Sequence, residues 1–319
     1  MSEKLTFRKV LNHRDVKHPA AKGVLLGAAT AFAAGNVISG WLHRSTHGGV
    51  EYSERVKKVL RGANFMLTGM PKIDWVDHLA HHAYPDKYDQ EAHESWNHSR
   101  PNGAPEAPKE AFRDPYSCEL EGYPKVLFNT SGLHRKAKKA IVPWLRQLEQ
   151  FDKDKGLDPN NRSHWPEPYR RVDMEEGDPS AIRNRFPIMG LVALGIGEAA
   201  LGGIGVALPA MAIHVPAILG IGGDINAINH TGQARGFINR ARVIAGLDRP
   251  IPDENGFFAA NIMTGNEGLV VGEQHHKYHH DHPQDPFISG TTLLRDPPGW
   301  IINTLEKFGL ASTPGAPTK

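Results

Sequence analysis

Two stretches of the chain are nearly free of charge, and the residues around and between them are polar. Residues 23–41, GVLLGAATAFAAGNVISGW, hold no charged side chain. At a helical rise of ~1.5 Å per residue they reach across a hydrocarbon layer ~30 Å thick. Residues 186–223 hold one acidic side chain, Glu198, and extend about twice as far, which predicts a helical hairpin with its turn near Pro209. Both stretches are rich in Gly and Ala, the residues that let helices approach closely in lipid. The competing reading of each is an Ala/Gly-rich core helix of a water-soluble fold; charge-free runs of this length favour the membrane.

The polar residues 42–185 divide further. Residues 83–125 are dense in Pro, Glu, Asp and Asn and are expected to be mostly loop, opening a polar insert over 83–185. Residues 136–151, KAKKAIVPWLRQLEQF, place apolar side chains at helical spacing on a basic background. That pattern fits a helix lying on a membrane surface and fits a solvated amphipathic helix equally well. The tail 313–319 reads as disordered. The N-terminal segment 1–22 carries Lys4, Arg8, Lys9, Arg14, Lys17 and Lys22 against Glu3 and Asp15. A hairpin at 186–223 returns both its ends to one side, so a full crossing at 23–41 would place this basic segment opposite the histidine-bearing side. The positive-inside rule disfavours that, leaving open whether 23–41 crosses or only dips in.

Composition narrows the chemistry. A net charge of +2 argues against nucleic acid as a partner. The single cysteine, Cys118, excludes an internal disulfide and a cysteine-based zinc site. The N-terminus lacks a secretory signal. The mean hydropathy of −0.43 hides the segregation of apolar residues. What stands out is 18 histidines, so any metal here would be held by nitrogen and oxygen.

Half of those histidines fall at helical intervals. HRSTH sets His43 and His47 four apart. DHLAHH sets His78, His81 and His82 at i, i+3 and i+4, and HKYHH repeats that spacing at His276, His279 and His280. NAINH sets Asn226 and His230 four apart. Residues three and four apart share a helix face, so each cluster is expected to aim its imidazoles one way. HRSTH and NAINH also begin where the apolar stretches end. Nine imidazoles exceed the four to six ligands of one first-row ion, which predicts two ions with room for water or substrate. The remaining histidines read as bystanders. His13, His18, His93, His98, His134 and His164 are expected in solvent, His214, inside the hairpin, hydrogen-bonded within the bundle, and His275 and His282 off the ligand face.

The ordered set HRSTH, WVDHLAHHAYPD, NAINH and GEQHHKYHH resembles the histidine boxes of the membrane-bound fatty acid desaturase family, most of all its Δ9 acyl-CoA/acyl-lipid branch. RDPYSCELEGYPKVLFN (113–129) and LRDPPGWIINTLEKFGLAS (294–312) are weaker echoes, and the resemblance spans 23–312. It implies an all-α fold, a membrane helical bundle of about three apolar segments under a cytosolic helical cap. It implies two Fe ions on His43, His47, His78, His81, His82, His230, His276, His279 and His280, with Asn226 holding a water. It also implies O2-dependent desaturation of a fatty acyl chain, acyl-CoA or acyl-lipid, fed with electrons by a donor such as cytochrome b5 or a ferredoxin. Asp77 and Glu273, beside the ligands, are candidate acceptors for imidazole N–H groups. The chain departs from the branch in its shorter first box, in Tyr116 where DPHS is usual, in Gln274 and His275, and in lacking an earlier span. A lipid hydroxylase on the same scaffold is the alternative, and a non-catalytic histidine-rich metal-binding membrane protein a further one.

Overall fold

The computed structural model describes residues 17–69, 75–117, 136–158, 161–172, 174, 188–230, 232, 237–245, 247–249, 251–252, 275–288 and 292–314. These are mostly helical. Helix α1 (Pro19–Asn36) opens on Pro19 and continues without a break through a π-helical segment, Val37–His43, and a last α turn, Arg44–Thr46. Beyond it lie α2 (Glu54–Thr68), α3 (Val76–Ala83), α4 (Gln90–Ser99), α5 (Lys136–Asp154), α6 (Ile188–Gly202), α7 (Ile204–Asn229), α8 (Phe237–Ile244), α9 (His276–Asp281) and α10 (Pro297–Lys307). The only paired strands among the described residues are β1 (Glu51–Tyr52) and β2 (Ala311–Ser312), which run antiparallel.

Among the described residues one helical run, Pro19–Thr46, is long and apolar enough to cross a membrane; the apolar helices Met189–Gly202 and Ile204–Ile218 are shorter. α1 packs along α7, and α6 against both α7 and α2. Glycine makes these approaches possible. A Cβ on Gly23 would stand 2.9 Å from Pro209 Cβ, and one on Gly27 2.9 Å from Ala210 Cα. A Cβ on Gly190 would meet the Phe65 carbonyl of α2. Gly23 and Gly27, four apart, form the small-xxx-small stripe that brings helix backbones together.

The hairpin reverses at Gly203, not near Pro209. Gly203 takes φ 76°, whereas Pro209 and Pro216 lie inside α7. Proline removes a backbone donor without supplying a reversal, and a positive φ is open to glycine at little steric cost.

The polar insert builds a core of its own. Ile141, Val142, Trp144, Leu145 and Leu148 of α5 pack with Val76, Leu79 and Ala80 of α3 and with Phe112, Trp165 and Tyr169. The apolar face of α5 is therefore covered by protein, so the helix does not present it to a membrane surface. Residues 83–117 are also less loop-like than their composition suggests: α4 forms behind an N-cap at Asp89, whose side chain accepts from Ala92 N. A second core joins Ala34, Ile38, Trp41 and Leu42 to Tyr52, Ile218 and Ile302. The first core backs α3 and the second backs the end of the long rod, two of the places where histidines emerge. Glu273 and the tail 315–319 lie outside the described residues, as does most of segment 1–22.

Candidate metal centre

Four pieces of chain deliver nine histidines to one place. The π-helical segment ends at His43, with His47 one turn on. α3 carries His78, His81 and His82, His230 follows directly on α7, and α9 carries His276, His279 and His280. The nine fall into two groups. His43, His47, His78, His82 and His279 form one, and His81, His230, His276 and His280 the other; in each, the nearest ring nitrogens all lie within 4.8 Å of one another. His81, His230, His276 and His279 are almost fully enclosed.

The clusters do not each point one way, as the spacing suggested. His78 and His82 serve the first group while His81 turns to the second; His276 and His280 serve the second while His279 turns to the first. Helix geometry explains the division. Positions i and i+4 differ by about 40° around the axis, whereas i+3 and i+4 differ by about 100°. The ring centroids follow suit: 4.5 Å for His78–His82 and 4.6 Å for His276–His280, against 6.0 Å for His78–His81 and 6.4 Å for His276–His279. Each HxxHH segment thus grips one group with two rings and lends the third to its neighbour.

The nitrogens of the four-membered group are too close to be satisfied by one another. Nε2 of His280 lies 3.2 Å from that of His81 and 3.1 Å from that of His276, whose Nε2 is 3.1 Å from that of His230. A neutral imidazole Nε2 carries one proton or one lone pair, so at most two of these three contacts are hydrogen bonds. A cation between the rings satisfies all of them. With metal–nitrogen bonds of ~2.1 Å, ligand nitrogens stand about 3.0 Å apart in octahedral and about 3.4 Å apart in tetrahedral order, and the observed spacings fall between. In the five-membered group, His78 Nε2 and both ring nitrogens of His82 and His279 are buried with no hydrogen-bond partner. The donor set fits two first-row ions.

Electrostatics favour the neutral, metal-binding form of the rings. Burial, and then the neighbouring imidazoles, hold His78, His82, His279 and His280 well below the ordinary histidine value. The same two causes lower His230. Each of these rings keeps a lone pair at neutral pH. No protein-family model matches the chain, and no curated protein matches it significantly.

Asp114, which sequence reasoning passed over, holds the tautomer of His81. Its Oδ1 lies 2.8 Å from His81 Nδ1, and both side chains are fully buried. The carboxylate also accepts from Asp86 N at 2.7 Å and Tyr116 N at 2.7 Å. His81 Nδ1–H donates to it, which leaves Nε2 as the lone-pair nitrogen facing the group. Asp114 stands in RDPYS, the stretch already noted after the second box. The candidate Asp77 is buried and accepts from its neighbour, His78 N, at 3.0 Å. Asn226 sits one turn before His230 on α7, its side chain outside the described residues.

The bystander histidines divide. His18 and His98 are exposed, His13 and His134 lie outside the described residues, and His275 and His282 join neither group. His214 donates from Nε2 to Leu67 O at 2.9 Å, inside the helix bundle as expected. His93 and His164 are not simply solvated. His93 bridges Tyr88 and the Ala107 carbonyl, and His164 is held 2.7 Å from buried Asp152. His164 lines a cleft of about 900 Å3 that also reaches His47 and His82, with Trp96, Trp165 and Arg171 on its walls.

Proposed function

We propose that the chain is a membrane acyl desaturase that uses O2 and a histidine-held pair of iron ions. The observation that carries this reading is the division of nine histidines, seven of them buried and two half-buried, into two adjoining groups of five and four. A structural zinc site needs four ligands and closes on them; two adjoining sets suit a centre where two ions act on one small molecule. An unactivated methylene has no acidic proton for a side chain to remove, and a bound iron pair would supply the one-electron and O2 chemistry that side chains lack.

The chain's own residues would do the rest. Burial favours the neutral, metal-binding form of His78, His82, His230, His279 and His280. Asp114 fixes the His81 ring, and the interlocked HxxHH segments set the two groups at a constant separation. The cleft beside His47 and His82 has the volume of a ligand site, which commonly runs to ~300–1,000 Å3, and would admit the acyl chain. Large apolar side chains stand exposed on α1 (Leu25, Phe32), α6 (Ile196, Leu201) and α7 (Leu208), which supports lipid around these helices and the three-segment reading of the fold. The histidine end of the bundle would face the cytosol. In the net reaction the chain gives up two hydrogens. A donor such as cytochrome b5 or a ferredoxin gives two electrons, solvent gives two protons, and O2 leaves as two waters.

Expression in a host followed by analysis of its acyl chains tests the reading. A new double bond that disappears with His279→Ala is the expected result. A hydroxylated chain assigns the same centre to a hydroxylase. Purified protein that holds zinc alone and shows no turnover dependent on O2 and reductant defeats both.

A further inference from the structure

The five-membered group is assembled from distant parts of the chain, and one buried arginine ties those parts together. Arg44 follows His43 directly. Its Nη1 and Nη2 donate to the two carboxylate oxygens of Asp296 at 3.0 and 2.6 Å, and Nη1 also donates to the Pro286 carbonyl at 2.5 Å. Arg44 is 1 % exposed and Asp296 is not exposed at all. Asp296 also caps α10, accepting from Gly299 N at 2.9 Å. Pro286 belongs to the loop that leaves α9, the helix of His279.

Three further contacts run along the same seam. A Cβ on Gly49 would stand 2.6 Å from Gln284 O, and one on Gly40 3.2 Å from Pro298 Cβ. β1, just past His47, pairs with β2 at Glu51↔Ser312 and Tyr52↔Ala311. Residues 284–288 and 292–312 are thus laid along the arm that carries His43 and His47. His43 and His279, one from each side of the seam, have ring centroids 4.2 Å apart.

The four-membered group has other supports. His81 is fixed by Asp114, His230 extends from α7, and α9 is tied by Tyr278 OH donating to Asp285 Oδ2 at 2.6 Å. We infer that Arg44, with Asp296 and the Pro286 carbonyl, is a positioning residue that sets the His43/His47 arm against His279, so that metal binding in the five-histidine group depends on it and binding in the four-histidine group does not. This rests on the two-metal reading of the site. Arginine suits the task because its planar fork meets both carboxylate oxygens and a carbonyl at once, which a lysine ammonium cannot do.

The test uses the full chain in detergent, stripped of metal and titrated with Co2+ alone, read by the visible absorption of the bound ion. Replacing the whole pair, Arg44→Met with Asp296→Leu, avoids leaving a buried charge and favours folding. The expected result is that one Co2+ equivalent keeps its wild-type Kd while the other weakens about 10–100-fold, the loss typical of removing a ligand's support. Adding His230→Ala then weakens the tight equivalent, and adding His78→Ala does not. Arg44→Lys in place of the pair replacement weakens the same single equivalent. Two equivalents at wild-type affinity in the pair variant, or both lost together, overturns the inference. A wild type that takes up fewer than two equivalents overturns the two-metal reading itself.

Discussion

Asp114 offers the sharpest separation of charge from shape at this centre. Its Oδ1 accepts from His81 Nδ1 and from Tyr116 N, and its Oδ2 accepts from Asp86 N. Asp114→Asn can keep its amide oxygen at the Oδ1 position. Both bonds made there survive, and only the Asp86 N–H loses its acceptor and faces an NH2 group. That single part-buried mismatch costs about 1–3 kcal/mol. Asp114→Ala removes all three bonds and leaves two buried donors and one part-buried donor, a loss of roughly 3–9 kcal/mol at about 1–3 kcal/mol each. Both variants withdraw the negative charge that strengthens His81 as a ligand, so both weaken metal binding about 10–100-fold, or about 1.4–2.7 kcal/mol. The loss should fall on one ion equivalent only, since His81 belongs to the four-membered group. Metal-free thermal unfolding in detergent ranks the variants wild type, then Asn, then Ala. Co2+ titration places Asn and Ala together, both below wild type. If Asp114→Asn binds both equivalents as tightly as wild type, the carboxylate does not tune His81 and the argument fails.

The metal-free protein should lose stability as pH falls below about 6.5. His78, His82, His230, His279 and His280 have folded values held below 6.5. In that window the unfolded chain binds protons that the fold does not, so stability is present above pH 6.5 and is lost downward from there. Each such group contributes up to about 1.4 kcal/mol per pH unit; a chelated sample that melts at the same temperature at pH 7.5 and pH 5.5 contradicts this. Two glycine substitutions should act in opposite directions. Gly27→Ala drives a Cβ into α7 at Ala210 and lowers stability by about 1–3 kcal/mol. Gly62→Ala, on the exposed face of α2 with nothing within 4 Å of its Cβ, raises stability by about 0.5–1 kcal/mol. Melting temperatures that move the same way for both would refute the close-packing account of α1 on α7.

The histidine clusters could be read from the sequence because a helix fixes what lies three and four residues away, and that information is local. Their allocation could not be read so directly, although half of it is also local. An HxxHH segment must divide when a group lies on each side, because its last two rings diverge by about 100°. What decides that both sides hold a group is tertiary: α3 and α9 face one another, and the arms ending in His43/His47 and His230 close opposite flanks. Asp114 was hidden for a related reason. It stands 33 residues from His81 along a chain whose intervening composition reads as loop, and nothing local marks one carboxylate among the many there. Asp77 stands next to His78, and on a helix the neighbouring residue points about 100° away, so a carboxylate from another element, such as Asp114, reaches the far side of a ring readily; Glu273 lies outside the described residues. The turn at Gly203 followed a similar course: Pro209 is the conspicuous breaker, but reversal needs a positive φ, and GGIG (202–205) carried that signal six residues earlier. The face of α5 shows the limit most clearly. Its amphipathic pattern specifies an apolar partner without saying whether that partner is lipid or protein, and only the presence of Val76, Leu79 and Trp165 opposite it resolves the choice.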